Sequence, residues 1–233
     1  KLTVNVSTNL LSLTNTTFKI HETDLIMRNT LILFITTSLL LVSCGPTVFL
    51  SSDAISRAKQ HDKLAILPPK ISIPASKNVS AEAMAEQRAT ESLNFQNEIY
   101  KQLLRRVTRG EMSVNLQDVE ETNVLLTRTF PDGIYTTEEA CKALNVDAVM
   151  SSQFGLSKPM SQGAAIAAYV LFGGIGATNE VTVNMSLKDC SDSKLLWNYD
   201  WRYQGSLGTS PEDLVESLMR NASRKIPYYT GSF

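Results

Sequence analysis

Residues able to do chemistry are few in this chain. It holds two histidines, His21 and His61, and three cysteines, Cys44, Cys141 and Cys190. A nucleophile–histidine–acid site would have to be built on His61, because His21 lies in a polar amino-terminal stretch ahead of Met27. His61 itself falls in a small-residue, polar segment that reads as a flexible tether, and catalytic geometry needs rigid supporting elements. It is therefore expected to be a solvated linker residue. No His, Cys and carboxylate cluster appears at metal-ligand spacing. Gly173-Gly174-Ile175-Gly176 lacks the third glycine of a dinucleotide fingerprint and does not directly follow a strand. Glu120-Glu121 and Glu138-Glu139 open helices, where carboxylates suit the helix dipole. Two distant carboxylates acting on a glycoside stay open as an arrangement, with nothing pointing to it. The expectation is no catalytic residue, no metal, no cofactor and no small-molecule substrate.

Cys44 is different, because of what precedes it. Met27 and Arg28 supply a start and a positive charge, Leu31 to Val42 is an apolar run, and Leu41-Val42-Ser43-Cys44 closes it with small residues before a thiol. The run is shorter than the roughly 20 apolar residues a membrane span needs. It resembles the lipobox of bacterial lipoproteins. That resemblance implies a signal peptide over residues 27–43, diacylation of the Cys44 thiol, and acylation, typically with palmitate, of the new amino terminus. Two or more acyl chains anchor stably where one does not. Residues 1–26 read as sequence upstream of the true start. Gly45 rather than aspartate after the lipid cysteine implies sorting to the outer membrane, and the lack of an acidic run implies the periplasmic face.

Residues 44–233 have the length of one ordinary domain. With 22 basic and 23 acidic side chains the net charge is −1, which gives no field for nucleic acid. Residues 44–62 are expected as a tether and 63–229 as a single periplasmic domain. Leu64 to Leu67 reads as a buried strand cut off by Pro68-Pro69, and Lys70 to Asn78 as a loop. From Ser80 to Arg109 the spacing predicts a helix with a stripe of Ala85, Ala89, Leu93, Gln96, Tyr100, Leu103 and Val107, stopped at Gly110. Met112, Val114 and Leu116 alternate as a strand. Asp118-x-x-Glu121 and Thr136-x-x-Glu139 open two further helices, the second terminated by Asn145. Val146 to Phe154, Val181 to Leu187 and Leu195 to Tyr203 are strands, the last two forming a hairpin. Ser210, Pro211 and Asp213 start a final helix. The fold class expected is α/β (α+β): a mixed sheet of about five strands with helices packed against it, ending in a hairpin and a helix.

Three stretches, KLAILPP at Lys63–Pro69, ALNVDAVMSSQ at Ala143–Gln153 and KLLWNYDW at Lys194–Trp201, resemble small periplasmic lipoprotein domains. That group includes the curli-secretion lipoprotein, lipoprotein activators of cell-wall synthases, the amino-terminal domain of TolB and outer-membrane transport lipoproteins. The resemblance covers Lys63 to Tyr229. None of its motifs does chemistry. It implies a non-enzymatic accessory or assembly subunit of an envelope secretion or transport system, with an oligomeric secretion pore and a synthase activator as alternatives. The implied partners are the membrane, an unidentified envelope protein and a second copy of the chain.

An apolar insert, Ala164 to Ala177 within residues 161–179, stands where a short turn would do. Its Ala164, Ile166, Tyr169, Val170, Leu171, Phe172 and Ile175 are candidates for an interface or membrane contact, against the plainer reading of a cover for their own sheet. The insert does not alternate as a barrel strand must, which argues against a pore. If the strand from Val146 runs antiparallel to the one ending near Leu187, Cys141 and Cys190 share one end of the sheet. A disulfide is then possible, although helix placement can leave the α-carbons beyond the roughly 7 Å limit. Trp197, Tyr199, Trp201 and Tyr203 read as a core face under a helix rather than a ligand platform.

Overall fold

Alternation and capping decide most of the architecture. The computed structural model describes residues 46–74, 79–157, 179–205 and 210–231, within one compact unit, Pro46–Phe233. Its elements in order are β1 (Thr47–Leu50), α1 (Ala54–Ala58), β2 (Lys63–Ile66), β3 (Lys70–Ser72), α2 (Ala81–Thr108), β4 (Asn115–Leu116), α3 (Val119–Thr129), α4 (Thr137–Leu144), β5 (Ala148–Leu156), β6 (Asn179–Asp189), β7 (Leu195–Gly205) and α5 (Pro211–Ala222). The sheet has seven strands in the order β1-β7-β6-β5-β2-β4, with β3 also on β5. It is mixed: β2 is parallel to β4 and β5, while β5, β6, β7 and β1 form antiparallel pairs.

Two of the seven strands are additions to the five expected. The first is β3, in the segment read as a loop. Pro68 and Pro69 lack an N–H and interrupt the ladder, after which Lys70–Ser72 resumes parallel pairing with Gln153–Gly155. The second is β1, in the segment read as a tether. Residues 46–62 are not a tether: β1 pairs antiparallel with β7, Thr47 opposite Asp200 and Leu50 opposite Trp197, and Ala54 and Ala58 of α1 are buried in the core. The strand expected from Met112 to Leu116 shrinks to Asn115–Leu116, with Met112 making an isolated bridge to Tyr229.

One face of the sheet carries α2 and α5. Val181, Val183, Met185 and Leu187 of β6 and Trp197 and Tyr199 of β7 are buried there, together with Leu214, Leu218 and Ala222 of α5. Phe95 of α2 stacks on Phe154 of β5 with centroids 4.3 Å apart. The stripe predicted for α2 holds in its second half, where Gln96 and Leu103 are buried and Tyr100 and Val107 pack against the core, and shifts in its first, where Ala85, Ala89 and Leu93 face solvent and Met84, Glu91 and Phe95 are buried instead. Gln96 is satisfied inside, its Nε2 donating to the Ile66 carbonyl at 2.8 Å and to Asn123 Oδ1 at 3.0 Å.

Among the described residues the opposite face is covered only in part. Over β2 and β5, α3 and α4 close a second, smaller cluster of Ala65, Leu67, Leu126, Ala140, Cys141, Leu144, Val146 and Val149. Over β6 and β7 the face is polar. Ser151 and Ser186 hydroxyls pair at 2.8 Å, and Asn184 Nδ2 donates to Asn198 Oδ1 at 3.0 Å and to Asp200 Oδ1 at 2.6 Å.

Candidate functional site

The residues with chemical potential converge at one end of the sheet. There β2 and β5 begin and β6 ends, with α1 and the carboxy-terminal Tyr228 packed alongside. Asp147, entering β5, accepts hydrogen bonds at 2.8 Å from the backbone N–H groups of Asp62 and Lys63. The Cys190 N–H donates to the Asp147 carbonyl at 2.8 Å. Cys141, on α4, is joined to Cys190 by a disulfide with the α-carbons 5.5 Å apart. The helix thus sits close enough to resolve the open question in favour of the bridge. A cleft of about 600 Å³ opens beside it, walled by Arg57, His61, Asp147, Asp189 and Cys190.

His61 is not the solvated linker residue the sequence suggests. Its side chain is 7 % exposed. Its Nδ1 lies 2.7 Å from the Tyr228 hydroxyl and its Nε2 lies 3.3 Å from Asp189 Oδ2. Burial pushes the Tyr228 phenol up, with Asp189 and Asp147 adding to the effect. The phenol therefore stays protonated, and the direction of its bond with Nδ1 follows the tautomer of the ring. Burial works to raise Asp189, but the Ser191 hydroxyl and N–H, Arg57 and His61 outweigh it and hold the carboxyl at about 2. This phenol–imidazole–carboxylate chain has the order of a proton relay, yet Tyr228 is 0 % exposed and both ring nitrogens are engaged.

What the cluster does is fasten the amino-terminal segment. Arg57 bonds Asp53 at 2.9 Å, Asp189 at 3.0 Å and Asp192 at 3.0 Å, and Lys194 reaches Asp53 at 2.6 Å. These partners hold the Asp53 carboxyl well below its usual range and the Arg57 guanidinium above its own, the largest causes being the Lys194 bond and the Asp189 bond respectively. With the β1–β7 ladder, residues 47–61 are fixed to the sheet at both ends. The sequence reading missed Arg57, Asp189 and Tyr228. A local signal existed in Asp53 and Arg57, four residues apart on one helix face; the rest depends on pairings more than a hundred residues distant.

The same segment carries an apolar surface. Val48, Phe49 and Leu50 of β1 are 36 %, 48 % and 44 % exposed, and Ile55 of α1 is 54 % exposed. A second hollow, about 240 Å³, lies at the border of α4 and the polar face among Lys70, Tyr135, Thr137, Gln153, Asn184 and Lys188. Cys44 and the insert residues from Ala164 to Ile175 lie outside the described residues. Among the described residues no helix is long and apolar enough to cross a membrane, and no group of three or more His, Cys, Asp or Glu is placed to hold a metal ion.

No protein-family model matches the chain, and no curated protein does. Among solved structures it is similar to the PelC dodecamer from Paraburkholderia phytofirmans, at 14 % identity over 80 % of this chain and 100 % of that one, with a TM-score of 0.39. It is similar to lipoprotein GNA1162 from Neisseria meningitidis, at 13 % identity over 71 % and 97 %, TM-score 0.38. It is also similar to the LpoB C-terminal domain from Salmonella enterica, at 13 % over 65 % and 93 %, TM-score 0.33. Likenesses of this degree assign neither a family nor an activity to the chain.

Proposed function

We propose that this chain is a lipid-anchored envelope protein, held through Cys44 at the periplasmic face of the outer membrane, that works by protein contact as an accessory or assembly subunit of a secretion, transport or envelope-maintenance system. The observation that carries this reading is the run from Met27 to Cys44, a positive start, an apolar stretch and small residues before a thiol, directly followed by a folded unit that begins at Pro46. Two features support it. The Cys141–Cys190 disulfide suits an oxidising compartment such as the periplasm. The one histidine among the described residues is saturated by Tyr228 and Asp189, which favours a protein that binds over one that catalyses.

The test is the mass of the mature protein extracted from bacterial membranes. The expected amino terminus is an acylated Cys44, abolished by Cys44→Ser and by inhibition of the lipoprotein signal peptidase. Recovery as a cytosolic species that keeps residues 27–43 and an unmodified thiol overturns the reading. Crosslinking in intact membranes, followed by identification of the attached protein and sizing of the detergent extract, then separates a subunit bound to another protein from a ring-shaped pore.

A further inference from the structure

We infer that β1 is the membrane-facing edge of the domain, with Val48, Phe49 and Leu50 seated in the lipid headgroup layer of the leaflet that holds Cys44. The inference rests on the reading of Cys44 as acylated, and adds to it an orientation and a contact surface.

The argument begins with reach. Thr47 is three residue steps from Cys44, and an extended chain spans at most about 3.5 Å per step, so roughly 10 Å is the limit between anchor and strand. Thr47 cannot swing away to use that length freely, because it is registered opposite Asp200 of β7. Behind it, Arg57 holds Asp53 and Asp189, and His61 holds Asp189 and Tyr228. The headgroup layer of one leaflet is itself about 5–7 Å deep. An acylated Cys44 therefore keeps the start of β1 within about 10 Å of the anchor, at or just above the headgroups.

The surface brought there is apolar. Side chains alternate across a strand, yet Val48, Phe49 and Leu50 are all well exposed, because β1 lies at the end of the strand order and neither of its faces is covered by a described element. Ile55 on the neighbouring helix is more exposed still, at 54 %. Four consecutive residues are a short edge on which to pair a further strand. For side chains of this type, a partly dehydrated interface within about 10 Å is the better environment.

The test uses the full-length acylated protein in vesicles of phosphatidylethanolamine and phosphatidylglycerol, with the photocrosslinker benzoylphenylalanine in place of Phe49. A control chain carries it at Ile134, which is 76 % exposed in the loop between α3 and α4. Those helices pack beside β2, four strand spacings of about 4.8 Å from β1. After irradiation, position 49 should gain the mass of one phospholipid several-fold more often than position 134. Equal lipid labelling at the two positions overturns the inference, and so does a crosslink from position 49 to a second copy of the chain. If substitution at 49 lowers the unfolding midpoint, the label goes to Leu50, 44 % exposed, with the same outcomes. The mass of Cys44 is read on the same samples. An unacylated Cys44 removes the parent reading, whereas an acylated Cys44 with unlabelled β1 overturns only the orientation.

Discussion

The two faces of the sheet are stabilised in different ways. Under α2 and α5 the strands present a continuous apolar bed, and a single large cluster runs from Ala54 to Tyr228. Under α3 and α4 eight buried residues meet among the described ones, and that layer is tied down by a disulfide, by ion pairs at its margin and by helix caps. Buried area accounts for the first face and cross-links for the second. Damage to the first should be felt by the whole molecule, and damage to the second should begin locally.

The largest effect belongs to the larger core. Phe95 is 0 % exposed and stacked on Phe154, so Phe95→Ala removes both the buried ring and the contact. It should cost about 3–5 kcal/mol, read as a lowered urea midpoint with amide exchange accelerated throughout. A cost under about 1 kcal/mol would show that the apolar bed is not the main support.

Next comes the bridge. Cys141 and Cys190 are 49 residues apart, and closing a loop of that length in the unfolded chain corresponds to about 4 kcal/mol on the chain-entropy account, with about 2–4 kcal/mol typical. The double variant Cys141→Ser, Cys190→Ser should lose stability in that range. Exchange should rise first at α4 amides, while α2 and α5 keep rates set by global unfolding. Uniform acceleration across both faces would erase the proposed difference between them.

A third effect is set by pH. Asp189 has its folded pKa lowered from 3.8 to about 2. A lowered carboxyl stabilises the fold fully above the unfolded pKa and loses that contribution as pH falls through the folded one. The window therefore lies between about pH 4 and pH 2, and the depression corresponds to about 2 kcal/mol. Denaturant midpoints taken across it should fall steeply for the native chain and more gently for Asp189→Asn. Identical slopes would mean that the cluster around Arg57 and His61 adds nothing to stability.

This contrast also explains what could be read from the residues in advance. Features made by neighbours in the chain were legible. Asn145 is left-handed at φ 52°, Thr136 with Glu139 and Ser210 with Asp213 form reciprocal caps, and β6 alternates between buried and more exposed side chains as its sequence does. Features made by distant partners were not. β1 has no burial alternation of its own and exists because β7 offers a ladder some 150 residues later. β3 depends on β5, and the place of His61 depends on Asp189 and Tyr228. The first half of α2 departs from the predicted stripe for a related reason. Ala85 and Ala89 sit on its outer face while Glu91 lies within, so there residue type alone points to the wrong side.

The smallest effect sharpens the comparison furthest, because the same device occurs on both faces. The Glu139 N–H donates to Thr136 Oγ1 at 3.2 Å at the start of α4, and the Asp213 N–H donates to Ser210 Oγ at 3.1 Å at the start of α5. Thr136→Ala and Ser210→Ala should each cost about 1 kcal/mol. They should respond differently to the bridge. α5 is anchored by Leu214, Val215, Leu218, Met219 and Ala222, on the opposite face from the disulfide, so the cost of Ser210→Ala should be the same with and without it. α4 has eight residues, and Cys141 is one of its three buried side chains. With the cysteines replaced, α4 opens before the rest of the fold. Thr136→Ala should then shift the global midpoint less while raising α4 amide exchange about fivefold, the rate equivalent of about 1 kcal/mol. Equal global costs for Thr136→Ala in the bridged and unbridged chains would mean that α4 unfolds only with the core, and that the two faces are one cooperative unit.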